Sequence, residues 1–453
     1  MRCFKTYDIR GRLGEDLDAA IMGRIGRAFA RILSARRVVL GHDARASSPQ
    51  LAAALSEALM DEGCTVLNLG QCGTEEVYFA TGHFEACGGL CVTASHNPIE
   101  YNGLKLVKRG AAPLVPDTEL AAMRDLVEAD DFGPAAGGGA WHDYSKAARA
   151  AYTDHVLSFV DIPSLRPLRI LVNAGNGAAG PTFDALAAQL AARGAPVEFI
   201  RLHHAPDPSF PNGIPNPLLE ANRAPTIAHI RAEGADFGVA WDGDFDRCFL
   251  FDSTGCFVEG EYVVALLAEA FLAHSPGAAV VHDGRVIWAA RETIARHGGR
   301  AIQSRTGHAF FKAALRDTGA VYGGEMSAHH YFRDFYCCDS GMIPWLLIAE
   351  LISRRNRPLA ELVADLRTAH PSSGEINFSL DDPSAAVDRV RAAHAPSATE
   401  IDTSDGLSLS FGNWRFNLRA SNTEPVLRLN VETRGDTELL ARKLEALRAL
   451  IER

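Results

Sequence analysis

The chain has 453 residues, 47% of them hydrophobic and 22% charged, so it is too long for a single hydrophobic core, and roughly three domains is the starting expectation. Its 45 Lys and Arg against 56 Asp and Glu give a formal charge of −11, which argues against nucleic-acid binding, because phosphate backbones need a broad basic face. The nine cysteines lack CxxC spacing and read as small buried hydrophobes in a reducing compartment.

The apolar run MIPWLLIAELI (342–352) is interrupted by Pro344 and Glu350 and is too short to cross a bilayer, so it is expected to be a buried helix. MRCFKTYDIRG at the start carries no secretory pattern, and the expected location is the cytoplasm, away from membranes.

In chain order, Ile21, Ile25, Ala28 and Ile32 recur at helical spacing, and the β-type run VVL (38–40) ends at the turn GHDAR. QLAAALSEALMDEG reads as helix, TVLNLG as strand, and GGLCVTA as a buried strand ending just before Ser95. FGPAAGGG (132–139) reads as a flexible connector. A second alternation runs through LRILV, PTFDALAAQLAARG, PVEFIRL and DFGVAWD. A third runs from EYVVALLAEAFLAHS through AAVVHD and VIWAARETIARHG to AVYGGE. HDAR (42–45) recurs as HDGR (282–285), each after an apolar strand, a weak sign of a duplicated module. HPSSGE (370–375) has the composition of a hinge. After it, FNLR and VLRLNVE read as an antiparallel pair, followed by an amphipathic helix with Asp436 as N-cap and Leu440, Leu444, Leu447 and Ile451 on one face. The expected architecture is α/β: three consecutive α/β domains (1–140, 141–253, 254–369) with mixed sheets, plus a C-terminal α+β domain (370–453), around a central cleft.

Four loops carry chemistry. TASHNP (93–98) sets Ser95 beside His96 at a strand end, but adjacent side chains on extended backbone point to opposite faces, so the pair is not expected to act as nucleophile and base. In DGDFDR, Asp242, Asp244 and Asp246 alternate, and on an extended chain their carboxylates project to one side, close enough to share a divalent cation. An all-oxygen set favours Mg²⁺ over zinc, and it leaves coordination positions for water or a substrate phosphate. GGEMSAHH (323–330) offers Glu325, Ser327 and His329 at alternate positions, suited to sugar hydroxyls. RASNTEPVLR gathers Arg419, Ser421, Asn422, Thr423 and Arg428 around a tight loop fitted to a phosphate dianion, with Arg428 opposite the core face formed by Leu427, Leu429 and Val431. A competing pattern is Gly175, Gly177 and Gly180, a GxGxxG after a strand with Glu198 at ribose-contact distance, which points to a nicotinamide-dependent oxidoreductase. Against it, Glu198 is followed by further strand residues, and the acidic and phosphate loops would go unexplained.

Taken together and in this order, TASHNP, DGDFDR, GGEMSAHH and RASNTEP resemble the four active-site loops of the α-D-phosphohexomutases. The resemblance extends to YDIRG, GHDAR, TGHAFFK (306–312) and EMSAHHYFRDFYCCDSGMIPWLL, and the last stretch is most similar to bacterial phosphomannomutases. It implies that Ser95 is carried as a phosphoserine, that Ser95 with Asp242, Asp244 and Asp246 holds Mg²⁺, and that Lys105 and Arg247 lie near the transferring phosphoryl group. It further implies that Glu325 and Ser327 grip the sugar, and that the 419–428 loop holds the non-reacting phosphate. Tyr7, Arg10, His96 and Arg285 are further cleft candidates, and Lys105, His308 and His329 compete for proton transfer. The implied substrate is a phosphorylated hexose and the activator a hexose 1,6-bisphosphate, with a monomer or weak homodimer as the acting form and no nucleic acid or membrane as partner. Mannose phosphates are preferred on GEMSAH, with a glucose or dual-specificity mutase as the alternative. Two local departures are Ala328, where relatives often have Gly, and Arg285, where some have Lys.

Overall fold

The computed structural model describes residues 1–420 and 426–453, so Ser421, Asn422 and Thr423 lie outside the described residues. The chain divides into two compact units, Met1–Phe257 with His329–Asn356, and Val258–Ala328 with Arg357–Arg453.

The first unit holds two sheets. One runs in the order Ile9–Arg12, Tyr101–Lys108, Gly88–Val92, Arg37–His42, Thr65–Gln71, Ala140–Asp143, with Ala112–Pro113 paired beside Tyr101–Lys108. Arg37–His42 is parallel to both its neighbours, whereas Tyr101–Lys108 runs antiparallel to Gly88–Val92 and Ile9–Arg12. The mixed sense therefore arises where the chain turns back immediately after TASHNP. Helix Ala19–Ile32 buries Met22, Ile25, Ala28 and Phe29 at helical spacing, and its N-cap Asp18 accepts from the Ile21 N–H at 2.7 Å. FGPAAGGG is not a free connector: Gly137 and Gly139 donate backbone hydrogen bonds to Asp61 and Met60, and the chain leaves it directly into the edge strand Ala140–Asp143. In the second sheet Leu168–Asn173 lies parallel to Val197–Leu202 and Phe237–Trp241, and Cys248–Asp252 returns antiparallel. The acidic DGDFDR loop is thus the connection between two fully buried strands. Helix Met342–Arg355 is buried without a break from Met342 to Ile352, Pro344 and Glu350 included, as expected for a buried helix.

In the second unit Ala279–Asp283 runs parallel to Arg300–Ser304 and Tyr322–Gly324. An antiparallel sheet follows, in the order Ile376–Ser379, Val426–Thr433, Trp414–Ala420, Leu407–Ser410, Glu400–Asp402. Leu427, Leu429 and Val431 are fully buried on one face of it, and helix Thr437–Ile451 is capped by Asp436, which accepts from the Leu439 N–H at 2.8 Å. Leu447 and Ile451 are buried beneath that helix, with Leu440 and Leu444 partly buried beside them.

HPSSGE lies along the strand Val426–Thr433. The Pro371 carbonyl accepts from Thr433 N–H at 2.9 Å, Ser373 exchanges hydrogen bonds with Val431, and Asn430 donates to the Gly374 carbonyl at 2.9 Å. Small polar residues serve here to follow a neighbouring strand closely, not to leave the chain loose. Another tie in this unit is a buried ion pair: Arg415 donates to Glu432 at 2.6 Å and to the carbonyls of Gly284 and Arg285, while Glu432 accepts from the N–H groups of Ile287 and Trp288 at the start of helix Trp288–Arg296. Removing either partner would strand a buried charge, a loss of about 3–5 kcal/mol.

Glu261, in the first turn of helix Gly260–His274, is 3% exposed. Burial, reinforced by Glu259 and Asp283, pushes its carboxyl up to about 7, although its own backbone N–H and the Ser372 hydroxyl pull the other way. Between the ordinary value of 4.5 and about 7 the folded chain holds a proton that the unfolded chain has released, so stability falls as pH rises through that window and stays lower above it. Glu261→Gln should remove this loss, of up to about 3 kcal/mol. Urea unfolding of variant and parent at pH 5 and pH 8 should show the variant gaining on the parent at the higher pH, and parallel pH profiles would contradict this assignment.

Candidate active site

Ser95 follows the strand Gly88–Val92 and takes φ +49°, a left-handed conformation that side-chain-bearing residues rarely adopt. This corrects the expectation drawn from extended backbone. The turn brings neighbouring side chains together, and Ser95 Oγ lies 3.0 Å from His96 Nδ1. The hydroxyl also donates to Asp242 Oδ2 at 2.6 Å.

Asp242, Asp244 and Asp246 do come together, but by a turn instead of an extended chain: Phe245 N–H closes onto the Asp242 carbonyl at 3.2 Å and Phe245 has φ +47°. One oxygen from each carboxylate lies within 4.8 Å of the others, and all three residues are buried. Close packing fixes the turn. A Cβ at Gly243 would stand 2.5 Å from the Ser95 carbonyl oxygen, and one at Gly177 would stand 2.8 Å from the Gly243 carbonyl. Two of the GxGxxG glycines are thereby accounted for. Gly177 lets its loop lie against the acidic turn, Gly180 lies against the His204 carbonyl, and Glu198 faces outward in a partly exposed ion pair with Arg169.

Lys105, from the returning strand Tyr101–Lys108, donates to Asp244 Oδ2 at 2.7 Å and also to Asp246. Thr74, at the start of helix Thr74–His83, donates to the same Asp244 oxygen at 2.6 Å. Burial opposes ionisation of Asp244, but Lys105 and these hydrogen bonds hold it well below the usual carboxylate range. Burial, with Asp244 alongside, pushes Asp246 up to about 6. Asp242 is held low against burial and the repulsion of Asp244 by His96, Arg247 and Lys105. Burial would discharge Lys105, yet the three carboxylates raise it above its ordinary value. Arg247 Nε stands 3.7 Å from Asp242 Oδ2. Burial and Arg247 pull the His96 imidazole below its ordinary value.

Oδ1 of each of Asp242, Asp244 and Asp246 is buried without a hydrogen-bond partner among the described residues. Three hard oxygen donors left unsatisfied in one buried turn fit a divalent cation such as Mg²⁺, whereas unpaired they would each cost free energy.

Arg10 donates to Asn97 Oδ1 at 2.5 Å and to Asp8 at 2.9 Å, which ties the YDIRG stretch to the serine loop; Tyr7 is half-buried nearby in sequence. His329 leaves the expected alternation at Ala328, φ +69°, and its Nδ1 lies 3.0 Å from Asp339 Oδ2 in a cluster that includes Asp246. Asp339 and Thr74 were not found from sequence. Thr74 belongs to a helix buried on nearly every side, so no periodic pattern marks it.

In the second unit Arg285 pairs with Asp283 at 2.7 Å and lies 3.8 Å from Glu325, while Ser327 Oγ donates to Glu325 at 2.9 Å. Glu375 is faced by three guanidinium groups, those of Arg285 at 3.3 Å, Arg428 at 3.5 Å and Arg419 at 3.9 Å. Arg419 and Arg428 stand opposite each other on paired strands flanking the segment that lies outside the described residues. His308 begins helix His308–Thr318 and is half-buried.

Comparison with known proteins agrees with this geometry. Four family models match along the chain: phosphoglucomutase/phosphomannomutase alpha/beta/alpha domain I over residues 1–133, domain II over 150–255, domain III over 259–369, and the C-terminal domain over 375–450. A phosphomannomutase of Salmonella typhimurium is 54% identical over 453 residues, covering 100% of this chain and 99% of the relative. A protein of Xanthomonas campestris named phosphohexose mutases is 54% identical over 448 residues, covering 99% and 98%. The crystal structure of a phosphoglucomutase/phosphomannomutase family protein from Burkholderia thailandensis superposes with a TM-score of 0.87 at 31% identity, covering 99% of this chain and 97% of that one. The chain belongs to the phosphoglucomutase/phosphomannomutase family of α-D-phosphohexomutases.

Proposed function

We propose that this mutase interconverts mannose 6-phosphate and mannose 1-phosphate, with Ser95 as the phosphoryl carrier and a hexose 1,6-bisphosphate as intermediate. The observation that carries the reading is the Ser95 hydroxyl itself, held in a left-handed turn 2.6 Å from one of three buried carboxylates whose Oδ1 atoms have no partner among the described residues. Asp242, Asp244, Asp246 and an oxygen on Ser95 would hold Mg²⁺, which when bound neutralises charge on the transferring phosphoryl group.

The chain's own residues do the rest. Phosphoserine gives its phosphoryl group to the free hydroxyl of a hexose monophosphate, and the serine oxygen takes a phosphoryl group back from the other end of the bisphosphate. Lys105 and Arg247 supply positive charge beside the serine, and Arg10 steadies its loop through Asn97. Asp339 engages His329 Nδ1, which leaves Nε2 as the nitrogen able to hold or release a proton, and this favours His329 over Lys105 and His308 for proton transfer. Glu325 and Ser327 bind sugar hydroxyls. Arg285, Arg419 and Arg428, with Ser421, Asn422 and Thr423, hold the phosphate that does not react. A dual-specificity hexose mutase is the second reading, favoured by the equal identity to the Xanthomonas relative. Supply of GDP-mannose from a cytoplasmic enzyme, acting as a monomer or weak homodimer, completes the proposal. No described helix is long and apolar enough to cross a membrane.

Ser95→Ala should lower turnover on mannose 1-phosphate by at least about 10³-fold, and intact mass should detect one phosphoryl group on the parent and none on the variant. Retained turnover in that variant would end the proposal. Chelation with EDTA should abolish activity and added Mg²⁺ should restore it; activity indifferent to both would remove the cation from the scheme. Glu375→Gln should lower KM for the phosphosugar about three- to tenfold, because the incoming phosphate no longer displaces a carboxylate from three arginines. Steady-state kinetics decide this, and an unchanged KM would place the phosphate elsewhere.

A further inference from the structure

The two HDxR turns share one backbone arrangement. His42 and His282 each place Nδ1 against the carbonyl of the following Asp, at 2.8 and 2.7 Å, and the backbone N–H groups of Arg45 and Arg285 each donate to that Asp's Oδ1, at 3.0 and 2.9 Å. Arg285 aims its side chain at carboxylates, as described above. Arg45 also keeps its Nε 3.4 Å from Asp43 Oδ2, but its terminal nitrogens do something else. It is 1% exposed, and its two terminal nitrogens donate to four backbone carbonyls of the serine loop: Nη2 to Ser95 at 3.0 Å and Asn97 at 2.5 Å, Nη1 to Pro98 at 2.9 Å and Tyr101 at 3.1 Å. A guanidinium carries four hydrogens on its terminal nitrogens, so this fork is saturated by the loop. On the other side of the loop Thr93 Oγ1 accepts from the Ser95 N–H at 2.8 Å, and Asp43 accepts from the Ser48 hydroxyl at 2.5 Å. Ser95 is therefore gripped at its N–H and at its carbonyl, the two sides of the one residue whose φ is unfavourable.

We propose that Arg45, with Thr93, is a positioning residue of the reaction: it locks Ser95 in the left-handed conformation that aims Oγ at Asp242, and it acts through geometry instead of charge. The inference rests on the reading of Ser95 as the phosphoryl carrier. Nothing in it requires Arg45 to touch substrate. An ammonium has three hydrogens on one atom and cannot span four carbonyls, so lysine keeps the charge but loses the grip.

The test uses the full chain with Mg²⁺ and bisphosphate activator present. Arg45→Lys should lower kcat by about 10²-fold with KM for the phosphosugar within about threefold, as expected for a misplaced reacting atom. Arg45→Ala should fall further and regain activity when millimolar guanidinium is added, whereas sodium at equal ionic strength should do nothing. Thr93→Val, nearly isosteric and suited to the fold, should lower kcat about tenfold and keeps the question answerable if the arginine variants do not fold. Wild-type kcat in folded Arg45→Lys or Thr93→Val, or equal effects of guanidinium and sodium on Arg45→Ala, would overturn the inference. Ser95→Ala run in parallel separates the two ideas: full turnover there removes the carrier reading, whereas an inactive Ser95→Ala beside a fully active Arg45→Lys removes this inference alone.

Discussion

Three carboxylates buried within one six-residue turn are the constraint on which the first unit is built. Like charges this close, at 0–2% exposure, cannot all remain ionised unless compensation is brought to them. Each supporting element supplies part of it. The antiparallel strand Tyr101–Lys108 returns from the serine loop to deliver the Lys105 ammonium, and helix Thr74–His83 begins where its first hydroxyl can reach Asp244. One oxygen on each carboxylate has no partner among the described residues, an arrangement that suits a divalent cation. The sequence separation of these groups, with Ser95 and Lys105 roughly 140 to 150 positions before the aspartates, means the site exists only once both sheets of the unit have formed.

The second unit handles charge differently. Its arginines are already paired: Arg285 with Asp283, and Arg285, Arg419 and Arg428 around Glu375. Preformed pairs hold planar guanidinium groups in position at little entropic cost when an anion arrives. The same HDxR backbone turn thus supports two arginines that each stand beside the Asp of their own turn, at 3.4 Å for Arg45 and 2.7 Å for Arg285. What differs is what the terminal nitrogens meet, further carboxylates at Arg285 and four loop carbonyls at Arg45.

Much of this was legible in the residues. Strands with strong apolar runs, the cap at Asp436 and the buried helix at 342–352 follow from local patterns, and DGDFDR announces a cluster of three carboxylates whatever its exact backbone path. Three features were not legible for physical reasons. The Ser95–His96 contact depends on one positive φ, which no residue type at that position advertises. The role of the GxGxxG glycines depends on what packs against them, and glycine permits close approach to a neighbouring loop as readily as to a pyrophosphate. Thr74 and Asp339 act across long sequence separations from elements without amphipathic rhythm, so only the assembled fold distinguishes them.

The pairing of cations with carboxylates also bears on how a chain of charge −11 can serve an anionic sugar. Bare arginines would bind a phosphate tightly and hold it. In the proposed site, arginines already paired with Glu375 and Asp283 would bind by exchange, so the gain would be the difference between a phosphate dianion and a carboxylate, not the whole of the attraction. In the proposed reaction the bisphosphate must let go, turn end for end and be gripped again by its other phosphate. A clamp that can fall back on its own carboxylates lowers the barrier to each release, and modest affinity is then a requirement of the chemistry, not a defect of the site.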